Sequence, residues 1–155
     1  MKKTIALVRE GWYIWLAHFR FELNTIQEQF SMSTLYDKLG GAAAVDLAVE
    51  KFYEKVLVDE RVQHFFAQTD MEAQKKHQKA FMTYAFGGTP HWDGRSMRDA
   101  HKQLVNEMGL TDSHFDAIAE DLVATLVELE VPQNLIDEVV QIVGSISHRN
   151  DVLNR

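Results

Sequence analysis

From residue 33 to the end of the sequence, apolar side chains recur at the spacing of an α-helix, and this periodicity limits the fold more than any other feature. Residues at intervals of three and four lie on one face of a helix. One such stripe consists of Val45, Val49, Phe52 and Val56. No segment alternates between apolar and polar residues for long enough to indicate a β-strand. The sequence therefore predicts an all-α protein.

Glycine and proline residues mark the ends of the predicted helices. The sequence predicts a short helix that ends at Gly40-Gly41, helices over 42–58, 71–86 and 96–108, a helical turn over 61–66, a helix that begins at Thr111 and a last helix with Pro132 in its first turn. Gly144 ends the regular pattern and leaves a polar tail that contains His148. Met108 and Ile142 belong to stripes that are expected to face the core.

The composition supports a single core and excludes several kinds of site. With 155 residues, of which 46% are apolar, the chain has the size of one ordinary domain. It has no cysteine, which excludes disulfides, iron–sulfur clusters and thiolate ligands, so any metal must be held by His, Met, Tyr or a carboxylate. The formal net charge is -7, and without a cluster of cations such a chain repels phosphate backbones, so no nucleic-acid partner is expected.

Residues 1–31 are predicted to form an N-terminal extension ahead of a globular domain over 32–155. Two interpretations of the extension stay open. Met32 could be the natural start of the protein, or the extension could be an amphipathic helix that contacts a membrane surface. The second interpretation rests on a stripe with helical spacing, which consists of Trp12, Trp15, Leu16 and Phe19.

The start of the chain does not support export. The first apolar run is interrupted by Arg9 and Glu10, which is not typical of a signal peptide. No later segment reaches the roughly 18 apolar residues of a membrane-spanning helix. We therefore expect a cytoplasmic protein.

His101 lies in the middle of the apolar stripe of the 96–108 helix. A lone histidine on such a face is more often a hydrogen-bonded core residue than a metal ligand. On its position alone, His101 is therefore expected to be a core residue rather than a metal ligand.

The 71–86 helix carries polar residues on a face that also has aromatic ones. Gln74, His77, Gln78 and Phe81 follow helical spacing on one side. Apolar walls with a few converging polar groups are typical of a ligand pocket, to which the hydroxyl of Tyr53 and an aromatic wall that includes Phe66 could contribute. Two histidines on separate helices suit haem iron better than zinc, which usually takes four ligands. A helical interaction module without a cofactor remains the alternative.

Several segments together resemble a known family. They are Leu35-Tyr36-Asp37-Lys38-Leu39-Gly40-Gly41, Ala48-Val49-Glu50-Lys51-Phe52-Tyr53, His77-Gln78-Lys79-Ala80-Phe81, Tyr84-Ala85-Phe86-Gly87-Gly88 and Met97-Arg98-Asp99-Ala100-His101. The chain from about residue 33 to 155 resembles the group I truncated haemoglobins, and most closely their cyanobacterial branch. The resemblance implies a two-over-two sandwich of helices around haem b, and it offers no counterpart for 1–31.

The resemblance also implies roles for individual residues. His101 matches the proximal ligand of the iron, with its second ring nitrogen held by a neighbouring acceptor. Tyr53, Gln74 and Gln78 match positions that donate hydrogen bonds to the bound diatomic ligand. His77 matches a position from which a histidine of the cyanobacterial members coordinates the iron, so that a diatomic ligand must displace it.

Two further residues are expected at the edge of the cofactor. His148 lies in a segment that resembles the C-terminal segment of the cyanobacterial branch, whose histidine can bond covalently to a haem vinyl group. Arg95 is placed where a cation could pair with a haem propionate, although a surface cation is more often simply solvated. Together with the aromatic residues Phe66 and Phe81, these residues complete the predicted cofactor site.

The function implied by the resemblance is reversible binding of O2, NO and CO, with protection against reactive nitrogen or oxygen species. Nitric oxide dioxygenase or peroxidase-like turnover would need an external electron donor, because no flavin or nicotinamide site is evident. An electron-transfer protein with two histidine ligands is the second hypothesis, and the helical interaction module is the third. A monomer is expected.

Overall fold

The computed structural model describes residues 33–155, and the predicted extension over 1–31 lies outside the described residues. Residues 33–155 form seven α-helices and one 3-10 turn and contain no strand, which confirms the predicted all-α class. The helices are α1 (Leu35–Leu39), α2 (Gly41–Val56), α3 (Met71–Ala85), α4 (Met97–Met108), α5 (Asp112–Glu128), α6 (Gln133–Val143) and α7 (Ile146–Val152). The 3-10 turn spans Gln63–Phe66, between α2 and α3.

A sharp corner separates α1 from α2. Gly40 has φ +109° and Gly41 has φ +68°, and this left-handed region is accessible to glycine without the steric cost that a Cβ brings. The two glycines therefore end α1 where the sequence predicted. The backbone N–H of Tyr36 in α1 donates to the carbonyl of Phe86 at 2.9 Å, which ties α1 to the end of α3.

The core lies between α2 and its neighbours. Helix α2 packs against α3 and α5, α5 packs against α6, and α1 contacts both α2 and α6. The predicted stripe of α2 is buried in full, and it consists of Val45, Val49, Phe52 and Val56. Burial of one such side chain contributes about 1.5–3 kcal/mol, so this stripe anchors the helix that carries Tyr53.

The helices that carry most of the candidate site residues have defined ends. Asp70 caps α3 by accepting hydrogen bonds from the backbone N–H groups of Glu72 and Ala73. Ser96 caps α4 by accepting from the N–H of Asp99. Each cap satisfies backbone donors that have no partner within the helix, so the first residues of both helices are held in position.

The C-terminal segment is a helix, and the prediction of a polar tail after Gly144 was wrong. Ser145 caps α7, which packs against α4 and α6. Val152 and Leu153 are buried at its end. A helix of seven residues is too short to show a periodic pattern or to form without tertiary contacts, so the sequence alone did not reveal it.

Ion pairs hold α7 against the neighbouring helices. The guanidinium of Arg149 binds Asp112 at 3.0 Å and also Asp116, and it lies 4.4 Å from the centre of the Phe115 ring. Arg98 of α4 binds Asp151 at 3.2 Å. These contacts fix the orientation of α7, and with it the position of His148.

Two residues expected in the core are exposed. Met108 has 41% of its surface exposed and Ile142 has 37%. Both lie in the last turn of their helices. Over residues 33–155, none of the helices combines the length and the apolar character that crossing a membrane requires.

Candidate functional site

His101 presents one ring nitrogen and uses the other for a backbone contact. Its Nδ1 lies 2.8 Å from the carbonyl oxygen of Met97, one turn earlier in α4. Because a carbonyl only accepts, Nδ1 carries the proton and Nε2 keeps its lone pair. Burial lowers the pKa of His101, the Met97 contact opposes this, and the charge of Arg95 lowers the pKa further. The ring is therefore a neutral imidazole with a free Nε2, the form that binds metals.

Tyr53 and Gln74 meet across the interface between α2 and α3. The amide of Gln74 donates to the Tyr53 hydroxyl oxygen at 3.0 Å. Tyr53 is 2% exposed, and burial raises its pKa to about 12, with the Gln74 hydrogen bond acting in the opposite direction. The phenol thus stays protonated at neutral pH. Since it accepts from Gln74, its own proton is available to a further acceptor.

Ion pairs on the surface hold this interface together. Lys75 of α3 lies 2.5 Å from Glu50 of α2, and Lys79 lies 3.4 Å from the same carboxylate. The pKa of Glu50 is lowered, first by the hydrogen bond from Lys75 and then, against the effect of burial, by Lys79. The pairs lie on the same two helices as Tyr53 and Gln74, so they support the register in which those side chains meet.

The other α3 residues differ in their surroundings. His77 is exposed, whereas Gln78 and Phe81 are half-buried. Phe66, at the end of the 3-10 turn, is half-buried and lies edge-on to Tyr53 at 5.8 Å between ring centres. The structure therefore brings Phe66, Tyr53 and Gln74 together and leaves the His77 ring accessible.

His148 lies among aromatic rings beside the His101 helix. Its ring stacks on Phe81 at 5.7 Å between centres with 19° between planes. Phe115 lies 6.1 Å away on another side. Burial lowers the pKa of His148 first, repulsion from His101 when both rings are protonated lowers it further, and the charge of Asp151 acts in the opposite direction. His148 is thus half-buried in the candidate site rather than exposed in a tail.

Arg95 lies in the loop that precedes α4 and is exposed. Its backbone carbonyl accepts a hydrogen bond from the indole nitrogen of Trp92 at 3.1 Å. The positive charge of Arg95 contributes to lowering the pKa of His101.

These side chains fit a haem group. Within residues 33–155, no cluster of three or more His, Asp and Glu side chains could enclose a metal ion by itself. The residues present instead match what haem requires: a neutral imidazole with an available Nε2 on α4, a phenol and amide pair between α2 and α3, and aromatic rings around His148. Haem iron can be held by a histidine, and the polarity of the surrounding pocket would control which ligands bind.

The sequence matches known proteins over the same region. The profile of the family described as Bacterial-like globin matches residues 34–151. A group 1 truncated hemoglobin, GlbN, from Synechocystis is 63% identical, and the match covers 80% of this chain and all of the relative. The group 1 truncated hemoglobin of Tetrahymena pyriformis is 47% identical over 79% of this chain and 96% of its own length. The chain belongs to the group 1 truncated haemoglobins.

Solved structures agree with the fold of this globin. The 2/2 hemoglobin from Synechococcus, described in the cyanomet state and with covalently attached heme, superimposes with a TM-score of 0.78 and 73% identity. That match covers 79% of this chain and all of the other. The predicted truncated globin fold, with two helices over two, is therefore confirmed.

Sequence reasoning missed two contributors to the site of this globin. The carbonyl of Met97 fixes the ring of His101. Met97 lies four residues before His101 in the same helix, and this spacing could have indicated the contact. Trp92 lies edge-on to Phe81 at 5.6 Å between ring centres. Nothing in the local sequence indicated that contact, because it joins a loop to a helix.

Proposed function

We propose that this globin binds haem b through Nε2 of His101 and that the protein reversibly binds O2, NO and CO. The observation that carries the proposal is the hydrogen bond from Nδ1 of His101 to Met97. It selects the tautomer in which Nε2 has a lone pair and holds the ring in one orientation. Membership of the globin family supports the same conclusion.

Haem, when bound, would supply an iron centre that can bind a diatomic ligand. The Tyr53 hydroxyl supports that binding, because it is buried, neutral and oriented by Gln74. A preorganised donor of this kind stabilises partial negative charge on a ligand. Gln78, one turn after Gln74 on α3, is proposed as an additional donor.

His77 is proposed as a second, displaceable iron ligand. Its exposure and its position three residues after Gln74 leave the ring free to turn toward the pocket. A diatomic ligand would then compete with His77, and the apparent affinity would equal the intrinsic affinity multiplied by the fraction of molecules in which the site is open.

His148 is proposed as the residue that attaches the cofactor covalently. Its stacking on Phe81 and its proximity to His101 support this role, as does the covalently attached heme of the Synechococcus relative. Arg95 is proposed to pair with a propionate at the open edge.

The physiological role proposed is protection against reactive nitrogen or oxygen species in the cytoplasm, by a monomer. Turnover as a nitric oxide dioxygenase or peroxidase needs an external electron donor, because both reactions consume electrons that must be supplied from outside the chain.

The test is an optical spectrum of the ferric, ferrous and carbon monoxide forms of the full-length protein. We expect a six-coordinate spectrum that becomes five-coordinate in His77→Ala, and a loss of haem retention in His101→Ala. His91→Ala is the matched control, because His91 is also exposed and lies in the loop before α4. Intact mass under denaturing conditions reports covalent attachment, which His148→Gln should abolish.

Other outcomes would contradict parts of the proposal. A protein that shows no Soret band when it is supplied with haem would favour the helical interaction module. A ferrous form that does not bind carbon monoxide would favour the electron-transfer protein. A spectrum unchanged by His77→Ala would remove His77 as a ligand and leave the assignment of His101 intact.

A further inference from the structure

A continuous series of aromatic rings connects the candidate haem site with the protein surface. The ring of Tyr84 lies 6.1 Å from that of Trp92, and Trp92 lies 5.6 Å from Phe81, both between centres. Phe81 in turn stacks on His148 at 5.7 Å. We call these four residues the aromatic series.

The outer members of the aromatic series are the ones that can be oxidised. Phenol and indole rings lose an electron far more readily than benzene or imidazole rings do. Trp92 is the one tryptophan within residues 33–155, and Tyr84 is 41% exposed. Small reductants in solution can therefore reach Tyr84.

The orientation of Trp92 is built into the loop. Its indole nitrogen donates to the carbonyl of Arg95 at 3.1 Å. A Cβ at Gly94 would lie 2.1 Å from the indole ring, so the absence of a side chain there lets the ring lie flat on the backbone. These two contacts hold the indole between Phe81 and Tyr84.

The inner end of the aromatic series lies at the candidate haem site. His148 lies on α7, which packs against α4, the helix that carries His101, and Phe81 belongs to the helix that carries Gln74. Electron tunnelling falls off exponentially with distance and more steeply across gaps between atoms than through packed groups. Phe81 and His148 therefore act as a packed bridge between Trp92 and the site, and they are not themselves oxidised.

We propose that Tyr84 and Trp92 form a surface oxidation site, at which small aromatic reductants donate electrons that reach the cofactor through Phe81 and His148. This inference rests on the proposed haem binding and adds to it the site and chemical class of an electron donor. The oxidant is hydrogen peroxide.

The reaction balances with this oxidant and this reductant. Each hydrogen peroxide takes up two electrons and two protons and becomes two molecules of water. Tyr84 releases one electron through Trp92, and its phenolic proton passes to solvent. A phenolic reductant then restores tyrosine by giving up one electron and one proton, so two reductant molecules are consumed for each peroxide.

The test uses full-length ferric protein that has been loaded with haem and checked by its Soret band. The protein is mixed with hydrogen peroxide and freeze-quenched, and organic radicals are measured by electron paramagnetic resonance. Oxidised residues are then located by peptide mass mapping. The variants are Trp92→Phe, Tyr84→Phe and their combination, with Tyr36→Phe as the matched control because Tyr36 lies outside the aromatic series.

We expect a tyrosyl or tryptophanyl radical in the unmodified protein and in Tyr36→Phe, and a several-fold loss of that signal in the combined variant. Oxidation of guaiacol should slow in Tyr84→Phe, while carbon monoxide binding stays unchanged. Gly94→Ala, which keeps the indole but displaces it, should also reduce the radical yield, as the combined variant does.

A radical yield that is the same in the combined variant, or a radical located on Tyr53, would overturn the surface oxidation site. So would a haem-loaded protein in which peroxide leaves both residues unmodified and forms no radical. A protein that takes up no haem overturns the proposed function and this inference together, whereas the other outcomes overturn this inference alone.

Discussion

Replacing Tyr53 with phenylalanine should change the stability of the protein in a way that depends on pH. Near neutral pH the variant loses the hydrogen bond from Gln74, which is 3.0 Å long in the structure. A hydrogen bond of this kind contributes about 1 kcal/mol net. Tyr53→Phe should therefore lower the free energy of unfolding by about that amount at pH 8.

At high pH the difference should shrink and then reverse. Burial raises the pKa of Tyr53 to about 12, from an ordinary value of 10.0. The unfolded chain then releases the phenolic proton first, so the folded state loses stability as the pH rises through this interval. The loss is about 1.4 kcal/mol at pH 11 and about 2.7 kcal/mol once the folded phenol has also ionised. The two stability curves should cross at about pH 10.7.

The assay is urea unfolding of haem-free protein followed by circular dichroism between pH 8 and pH 11, since release of a bound cofactor would violate two-state analysis. Lysine ionisation affects both proteins equally and cancels in the difference. Tyr36→Phe controls for the removal of a phenol elsewhere. If the difference between wild type and Tyr53→Phe were constant across this range, the hydroxyl would not be buried as the structure has it.

Three further outcomes are expected. Burial lowers the pKa of His101 and of His148. Because the unfolded chain then takes up these protons first, the free energy of unfolding of haem-free protein should fall as the pH drops below about 6.5. A His148→Gln variant whose free energy of unfolding depends on pH as steeply as that of the wild type would contradict this. Gly88→Ala should cost about 1–3 kcal/mol, because the new Cβ would lie 2.6 Å from the ring of Tyr36, and a Tyr36→Leu background should relieve part of that cost in thermal unfolding. Gly40→Ala should lower the free energy of unfolding by about 1–3 kcal/mol, because φ is +109° at this position. An unchanged melting temperature would contradict the left-handed backbone at Gly40.

Several features of the fold could be predicted because they depend on neighbours in the sequence. Periodic apolar residues identified the buried face of α2, and glycine pairs identified the corner before it and the end of α3. His101 also stood out locally, as a polar residue in an apolar stripe. Its role as a ligand, however, came from the resemblance to a family and not from the stripe.

The arrangement of the candidate site depends on contacts between helices that are distant in the sequence. Tyr53 and Gln74 are 21 residues apart, and their meeting is decided by the packing of α2 on α3. His148 approaches Phe81 only because α7 forms, and α7 forms only where Arg149 and the buried Val152 find partners. A local pattern carries no information about such partners.

The sequence by itself determined that this chain is a bundle of helices with breaks at defined glycines, since helical periodicity and the conformational freedom of glycine act within a few residues. Only the tertiary structure decided which ring nitrogen of His101 is free, which donors face each other, and how Trp92 and Tyr84 continue the site to the surface. These are relations between segments, and they exist only when burial of the shared core holds the segments together.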